Sequence, residues 1–168
     1  ATVRQPQPAL SRKEKKVQSL ERIRSLQIDT ANRQALMRLN SFEENGKLRR
    51  FFRKGFQLLE QNQIADLIID VRNNGGGRVG NSTSFSRYIS KCAFKVADSL
   101  YSIRRHSKYG KHIQHNWAIQ ALMPFLTKKR KDGLYHFGYF ERHRFSPKKK
   151  NHFDGRTYIP VSYTHLTL

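Results

Sequence analysis

Apolar residues change their spacing along this chain, and each change marks a predicted element. Over residues 1–23 they are sparse. Val17, Leu20 and Ile23 punctuate a stretch holding Pro6, Pro8 and Arg12-Lys13-Glu14-Lys15-Lys16, which reads as a linker leading into a short basic helix. Two extended segments follow, Leu26–Asp29 and Ala35–Phe42, separated by Thr30-Ala31-Asn32-Arg33-Gln34, which suits a hairpin-like return. In the second segment Met37 and Leu39 take one face, Arg38 and Asn40 the other. From Lys47 the period becomes helical. Leu48, Phe51, Phe52, Gly55, Phe56 and Leu59 form one stripe, and Lys47, Arg49, Arg50, Arg53 and Lys54 lie opposite. Phenylalanines at helical spacing predict a core face rather than a base-stacking surface. Ile64–Val71 is a short β-branched run and predicts a buried central strand; strand, helix, strand in that order implies a right-handed crossover.

Beyond the glycines that follow, Asn81 is placed to cap a helix running through Ile89, and Phe94–Tyr101 reads as extended. Between His106 and Lys129, the residues Ile113, Trp117, Ile119, Ala121, Leu122 and Phe125 predict a helix with Trp117 as a core anchor and Pro124 awkward near its end. Tyr135–Phe145 alternates aromatic and polar residues like a surface hairpin or edge strand, and Thr157–Val161 reads as a last strand entering the core. The predicted class is α/β, bordering on α+β: a β-sheet with crossover helices. The predicted organisation is 1–23 basic linker or partial helix, 24–159 a core, and 160–168 a tail.

Charge alters this picture. The 33 Lys plus Arg against 12 Asp plus Glu give +21, which draws a chain toward nucleic acid, anionic lipid or acidic polymers. The charges are spread from Arg12 to Lys150 rather than gathered in one arm, so unselective polyanion binding is the expectation, with a basic nucleic-acid-binding module as the alternative to an enzyme. Cys92 is the single cysteine and indicates neither a disulfide nor a structural metal site. No apolar run approaches the roughly 18 residues of a membrane span. The opening Ala1-Thr2-Val3-Arg4-Gln5-Pro6 has neither an initiator Met nor a signal-peptide core, so a fragment or processed product is expected.

The chemistry gathers at Asn73-Asn74-Gly75-Gly76-Gly77, directly after the predicted central strand. Consecutive glycines there mean positive φ or close approach by another group, and free backbone amides at a strand end collect negative charge. A purely structural tight turn is one reading. A dinucleotide fingerprint is another, since Gly75, Gly77 and Gly80 match G-x-G-x-x-G and Asp98 lies 18 residues beyond Gly80. Against it, Arg72, Asn73 and Asn74 separate the strand from the first glycine and Asp70 charges the strand itself, so no dinucleotide is expected. A Walker loop fails because no Gly-Lys-Ser/Thr follows. The third reading is an oxyanion hole, whose glycine N–H groups face a tetrahedral intermediate.

The run Leu67-Ile68-Ile69-Asp70-Val71-Arg72-Asn73-Asn74-Gly75-Gly76-Gly77 resembles the strand and glycine loop of the C-terminal-processing (tail-specific) serine peptidases, whose core also occurs in tricorn proteases. The resemblance extends back through Ala35–Phe42 and forward to Phe153–Ile159, covering roughly residues 24–159. It implies an incomplete tail-specific protease core of the ClpP/crotonase-like kind, acyl-enzyme hydrolysis of peptide or protein substrates in an intact parent, no cofactor and no metal, and export to the cell envelope or periplasm. Carried onto this sequence, Gly75, Gly76 and Gly77 form the oxyanion loop with Gly76 the favoured donor, and Asp70, Arg72 and Asn74 brace it.

In that family the strand matched by Thr157-Tyr158-Ile159 leads to a small-residue turn bearing the catalytic Ser, and many members place a Lys base farther on. Here Pro160-Val161-Ser162-Tyr163-Thr164-His165-Leu166-Thr167-Leu168 follows; Ser162 comes too early for that pattern and Thr167 has no chain after it. No credible nucleophile or base is present by this reading, and the chain itself is expected to be inactive. Residues from Val161 on resemble a tail of non-native origin; a real terminal strand is the alternative, since Val, Tyr and Thr favour one. Ser82, Ser84 and Ser86 read as helix-surface residues, His112 and His115 as an H-x-x-H without a zinc-protease carboxylate, and Lys148-Lys149-Lys150 as a solvated turn. The missing elements are expected to leave part of the Phe51-Phe52-Phe56 layer uncovered.

Overall fold

A computed structural model of the chain describes residues 11–43, 46–112 and 116–160. It divides into two compact units, one made of the residues up to Lys91 together with those from Pro147 on, the other of Cys92–Ser146.

In the first unit, Ser11 opens helix α1 (Arg12–Ile23) with a capping box, its hydroxyl accepting from Glu14 N while the Glu14 carboxylate accepts from Ser11 N. No α1 residue is buried, as its scattered apolar positions predict. Strands β1 (Arg24–Asp29) and β2 (Gln34–Leu39) pair antiparallel across the predicted return. Helix α2 (Leu48–Gln61) then carries the chain over to β3 (Asp66–Asp70), which lies parallel to β2. After α3 (Val79–Ile89) and the whole second unit, β7 (Arg156–Tyr158) returns beside β3, giving the order β1-β2-β3-β7.

Period-two alternation sets the core. Ala35, Met37 and Leu39 point inward, and the register places Ala35 beside Leu67 and Met37 beside Ile69, so one continuous apolar row crosses two strands. Phe52, Phe56 and Leu59 of α2 and Phe85 and Tyr88 of α3 cover it, with Phe52 and Phe85 rings 5.1 Å apart and Phe56 stacked on Tyr88 at 4.5 Å. The helical stripe is therefore core, and the expected uncovered Phe layer is corrected: Phe52 and Phe56 are fully buried because α3 closes over them, and Phe51 is half-buried under the Arg24 guanidinium. Gly55 is buried where α2 faces the sheet, and a Cβ there would stand 3.4 Å from both Leu26 and Met37, an ordinary packing distance.

Two first-unit expectations change. Asn81 does not cap α3 but lies inside it, with Arg78 in the N-cap position. Strand β7 does not enter the core. All three of its residues are exposed, because it forms the sheet edge.

The second unit contains β4 (Tyr101–Ser102), a 3₁₀ turn (Gly110–His112), α4 (Asn116–Leu126), β5 (Lys128–Lys129), β6 (Tyr135–His136) and α5 (Gly138–Arg142), with the three short strands antiparallel in the order β4-β6-β5. Phe94 and Phe145 exchange backbone hydrogen bonds of 3.1 and 2.8 Å and draw its two ends together. Here the sequence pattern misleads. Phe94–Tyr101 is extended only at its two ends, and Tyr135–Phe145 is two strand residues followed by α5, whose Glu141 turns inward to a buried polar partner. Trp117 is 77% exposed and anchors nothing, and Pro124 sits inside α4. Among the described residues no helix is long and apolar enough to cross a membrane.

Candidate functional site

The glycine loop leaves the C-terminal end of β3 and is tied down from both sides. Asp70, the last strand residue, is buried and receives three hydrogen bonds from Arg72: backbone N to Oδ1 at 3.2 Å, Nε to Oδ1 at 3.0 Å and Nη2 to Oδ2 at 3.0 Å. Arg38 of β2 adds a weaker ion pair at 3.8 Å. The Arg72 side chain is the main reason the Asp70 carboxyl is lowered to about 2. A permanently ionised Asp70 is a strut, not a proton donor or acceptor near neutrality.

Asn74 does two jobs. Its Nδ2 donates to Leu39 O at 2.7 Å, fastening the loop to the end of β2, while its Oδ1 accepts from Gly76 N at 2.8 Å in an Asx turn. Gly76 O then accepts from Phe42 N at 2.8 Å, and Arg78 N donates to Phe42 O at 3.1 Å, so residues 76–78 run as a one-residue parallel bridge beside Phe42. This geometry demands glycine at two places. Gly76 has φ +101°, and Gly77 has φ +135° with a would-be Cβ only 2.4 Å from Phe42 C. Gly75 meets nothing within 4 Å and its φ is ordinary.

The amides of the three glycines thus differ. Gly76 N–H is taken by Asn74, whereas Gly75 and Gly77 N–H find no acceptor among the described residues and lie exposed. Asn81 was missed as a member of this site. It is buried in α3, and its Nδ2 donates to Phe42 O at 2.8 Å and to Glu43 O at 3.3 Å, which fixes the strand against which Gly77 leans. A polar residue on the buried face of a predicted helix was the available signal. A cleft of about 570 Å³ lined by Lys47, Arg49, Arg78, Val79, Gly80 and Asn81 opens at the start of α3.

The sheet places a second segment at the same end. β7 is parallel to β3 with Asp66 beside Arg156 and Ile68 beside Tyr158, so β7 runs toward the sheet end from which the glycine loop departs. The residues after Pro160, Ser162 and Thr167 included, lie outside the described ones.

The remaining candidates are not drawn together. Ser82 Oγ and Thr83 Oγ1 donate to Val79 O at 3.0 and 2.7 Å, the back-bonding of helix-surface hydroxyls. Ser41 Oγ accepts from Glu43 N at 3.1 Å. His112 is exposed on the 3₁₀ turn, His115 lies outside the described residues, and Asp98 is exposed and pairs with Lys95 at 3.4 Å. Cys92 is exposed.

Sequence reasoning also missed a constellation in the second unit. His136 is buried, its Nδ1 2.7 Å from Glu141 Oε1 and its Nε2 2.7 Å from Asp132 Oδ2. Arg130 binds the other Glu141 oxygen, and Leu100 N donates to Glu141 Oε1 at 3.1 Å. With a carboxylate at each ring nitrogen the imidazole keeps both protons, and the Glu141 and Asp132 contacts raise its pKa. It ties β6 to α5 and has no nitrogen left for a substrate.

The model of Peptidase family S41 matches residues 33–149. No curated protein matches the chain.

Proposed function

The chain belongs to peptidase family S41, a family of serine-type, C-terminal-processing peptidases, and we propose that Gly75–Gly77 is the oxyanion half of a peptide-hydrolysing site. The observation that carries this reading is the parallel β3–β7 pair, which directs the C-terminal ends of both strands, and with β3 the glycine loop, to one sheet end. An acyl-enzyme needs a nucleophile, a base and amide donors around one reacting carbon. The loop offers the donors. Gly75 and Gly77 amides have no acceptor among the described residues, and the open space beside Gly75 and Gly76 leaves room for a peptide carbonyl. Gly76 N–H joins them only when Asn74 Oδ1 releases it. Asp70, Arg72, Asn74 and Asn81 are positioning residues that hold the amides in place before any charge develops, as electrostatic stabilisation requires.

Ser41 and Ser82 are engaged by local backbone groups, and neither is bonded to a His or Lys base. In this reading the chain alone does not hydrolyse peptides. A family member with nucleophile and base in place would act on peptide or protein substrates at the cell envelope.

Two measurements test this. In a ¹⁵N-resolved titration with a peptidyl phosphonate diester, a tetrahedral mimic, the Gly75 and Gly77 amide resonances move while those of α1 stay still; no movement at the loop sinks the oxyanion assignment. A fluorophosphonate probe leaves the chain unlabelled, and stoichiometric labelling of any serine overturns its inactivity.

A further inference from the structure

We propose that the Cys92–Ser146 unit carries a binding site for a compact, multiply charged phosphate anion of the pyrophosphate kind. The site is a cleft of about 520 Å³ lined by residues from the end of α4, β5, β6 and α5. Five of its lining side chains are Arg105, Lys128, Lys129, Arg130 and Arg142, and His136 adds an imidazolium at its wall.

Positive charge on a protein surface is ordinarily dispersed or matched, and here only the Arg130 and His136 charges are matched. Glu141 and Asp132 are spent on His136 and Arg130. No described carboxylate pairs with Arg105, Lys128, Lys129 or Arg142. The Tyr135 ring receives two of these cations, the Arg105 guanidinium at 5.0 Å and the Lys129 ammonium at 5.9 Å from its centre, which holds both beside β6 without neutralising either.

Arg105 points the same way independently. Its Nε is enclosed and has no hydrogen-bond acceptor among the described residues, the one such side-chain atom there. Enclosed polar groups in folded proteins almost always have a partner, so an orphaned guanidinium N–H on a residue lining a cationic cleft leaves an acceptor to be supplied from outside the chain, by water or by a ligand. Guanidinium forks from Arg105, Arg130 and Arg142 match phosphate oxygens in pairs, and the two lysines add point charge. The number of cations favours an anion carrying several charges over a single carboxylate, which would leave most of them unmatched.

The test uses the full chain with pyrophosphate as probe at about 0.15 M ionic strength, where diffuse attraction is screened beyond a Debye length of about 8 Å. Trp117, on α4 of the same unit, reports by fluorescence, and calorimetry gives the stoichiometry. One saturable site is expected. Arg105→Gln weakens it at least about tenfold, the scale of one lost charge-assisted contact. The double variant Lys128→Gln/Arg142→Gln, at exposed positions that do not carry the fold, weakens it as much and answers for Arg105→Gln if that variant misfolds. Lys13→Gln/Lys16→Gln on α1 leaves it unchanged. Non-saturable binding, many sites per chain, or an equal loss in the α1 control overturns the proposal and reduces the effect to net charge.

Discussion

Asp66 and Arg156 stand side by side in the parallel β3–β7 pair, 90 residues apart in sequence, and the Arg156 guanidinium donates from Nε to Oδ1 at 2.7 Å and from Nη2 to Oδ2 at 2.8 Å. This fork is the side-chain lock on the edge strand, whose own residues are exposed and contribute little burial. Arg156→Gln is expected to lower the melting midpoint of the first unit by on the order of 3 °C, and Asp66→Asn added to it to lower it little further. Hydrogen exchange gives the sharper reading: Arg156 and Tyr158 amides lose protection while those of Leu67 and Ile69 keep it. Unchanged protection of β7 would show that backbone pairing alone holds the strand.

The three glycines of the loop separate by substitution. Gly77→Ala forces a Cβ against the Phe42 backbone at a positive φ and destabilises the first unit by about 2 kcal/mol or more, measured by denaturant unfolding. Gly75→Ala has open space and an ordinary φ, and stays within about 0.5 kcal/mol of the parent. Equal costs at the two positions would contradict the bridge geometry at Phe42.

Acid acts on the loop through Asp70. Its carboxyl is depressed to about 2 in the fold, chiefly by the Arg72 hydrogen bonds, against about 3.9 in an unfolded chain. A depressed carboxyl contributes stability that is fully present above about pH 4 and is lost as pH falls toward 2. Asp70→Asn should flatten that part of the acid limb, and carbon-detected titration of Asp70 gives the value directly. A midpoint near the unfolded value would mean the Arg72 contacts do not persist in solution.

Base acts on the second unit through His136. Its pKa is raised, first by Glu141 and then by Asp132, while the neighbouring Arg130 opposes the shift. A raised imidazole contributes stability that is complete below about pH 6.5 and is lost as pH climbs through the folded value. The two carboxylates are lowered, so their contribution disappears at the acid end. The unit is therefore most stable in mildly acidic solution, and His136→Gln is expected to remove the alkaline decline in a pH series of thermal melts.

Two large aromatics show how far pattern reading carries. Phe52 is fully buried beside Phe85, and Phe52→Ala should cost about 3–5 kcal/mol. Trp117 is 77% exposed, and Trp117→Ala should cost less than about 1 kcal/mol. Chemical denaturation monitored by circular dichroism distinguishes them, and a heavy loss at Trp117 would restore it to a core.

Phe52 was legible because its neighbours repeat at helical period over several turns, and burial of one helix face imposes that period. Trp117 was not, because a single bulky residue in an apolar helix says nothing about which face is covered. Tyr135–Phe145 misled for a related reason. Alternation fits a strand, but the buried bonds of Glu141 to His136 and Arg130 favour α5, and no local pattern shows those partners.

By itself the sequence determined the hairpin, the crossover from β2 through α2 to β3, the glycine loop and its likeness to a peptidase family. These rest on short-range periodicity and on residues whose backbone freedom is intrinsic. Only the tertiary structure decided that Gly76 N–H is spent on Asn74, that Asn81 fastens Phe42, that His136 sits between two carboxylates, and that β7 returns beside β3. The Asn81–Phe42 and β7–β3 pairings join segments far apart in the chain, which no local pattern records, whereas the Asn74 and His136 contacts join near neighbours whose choice among several polar partners is made by hydrogen-bond satisfaction in the folded turn.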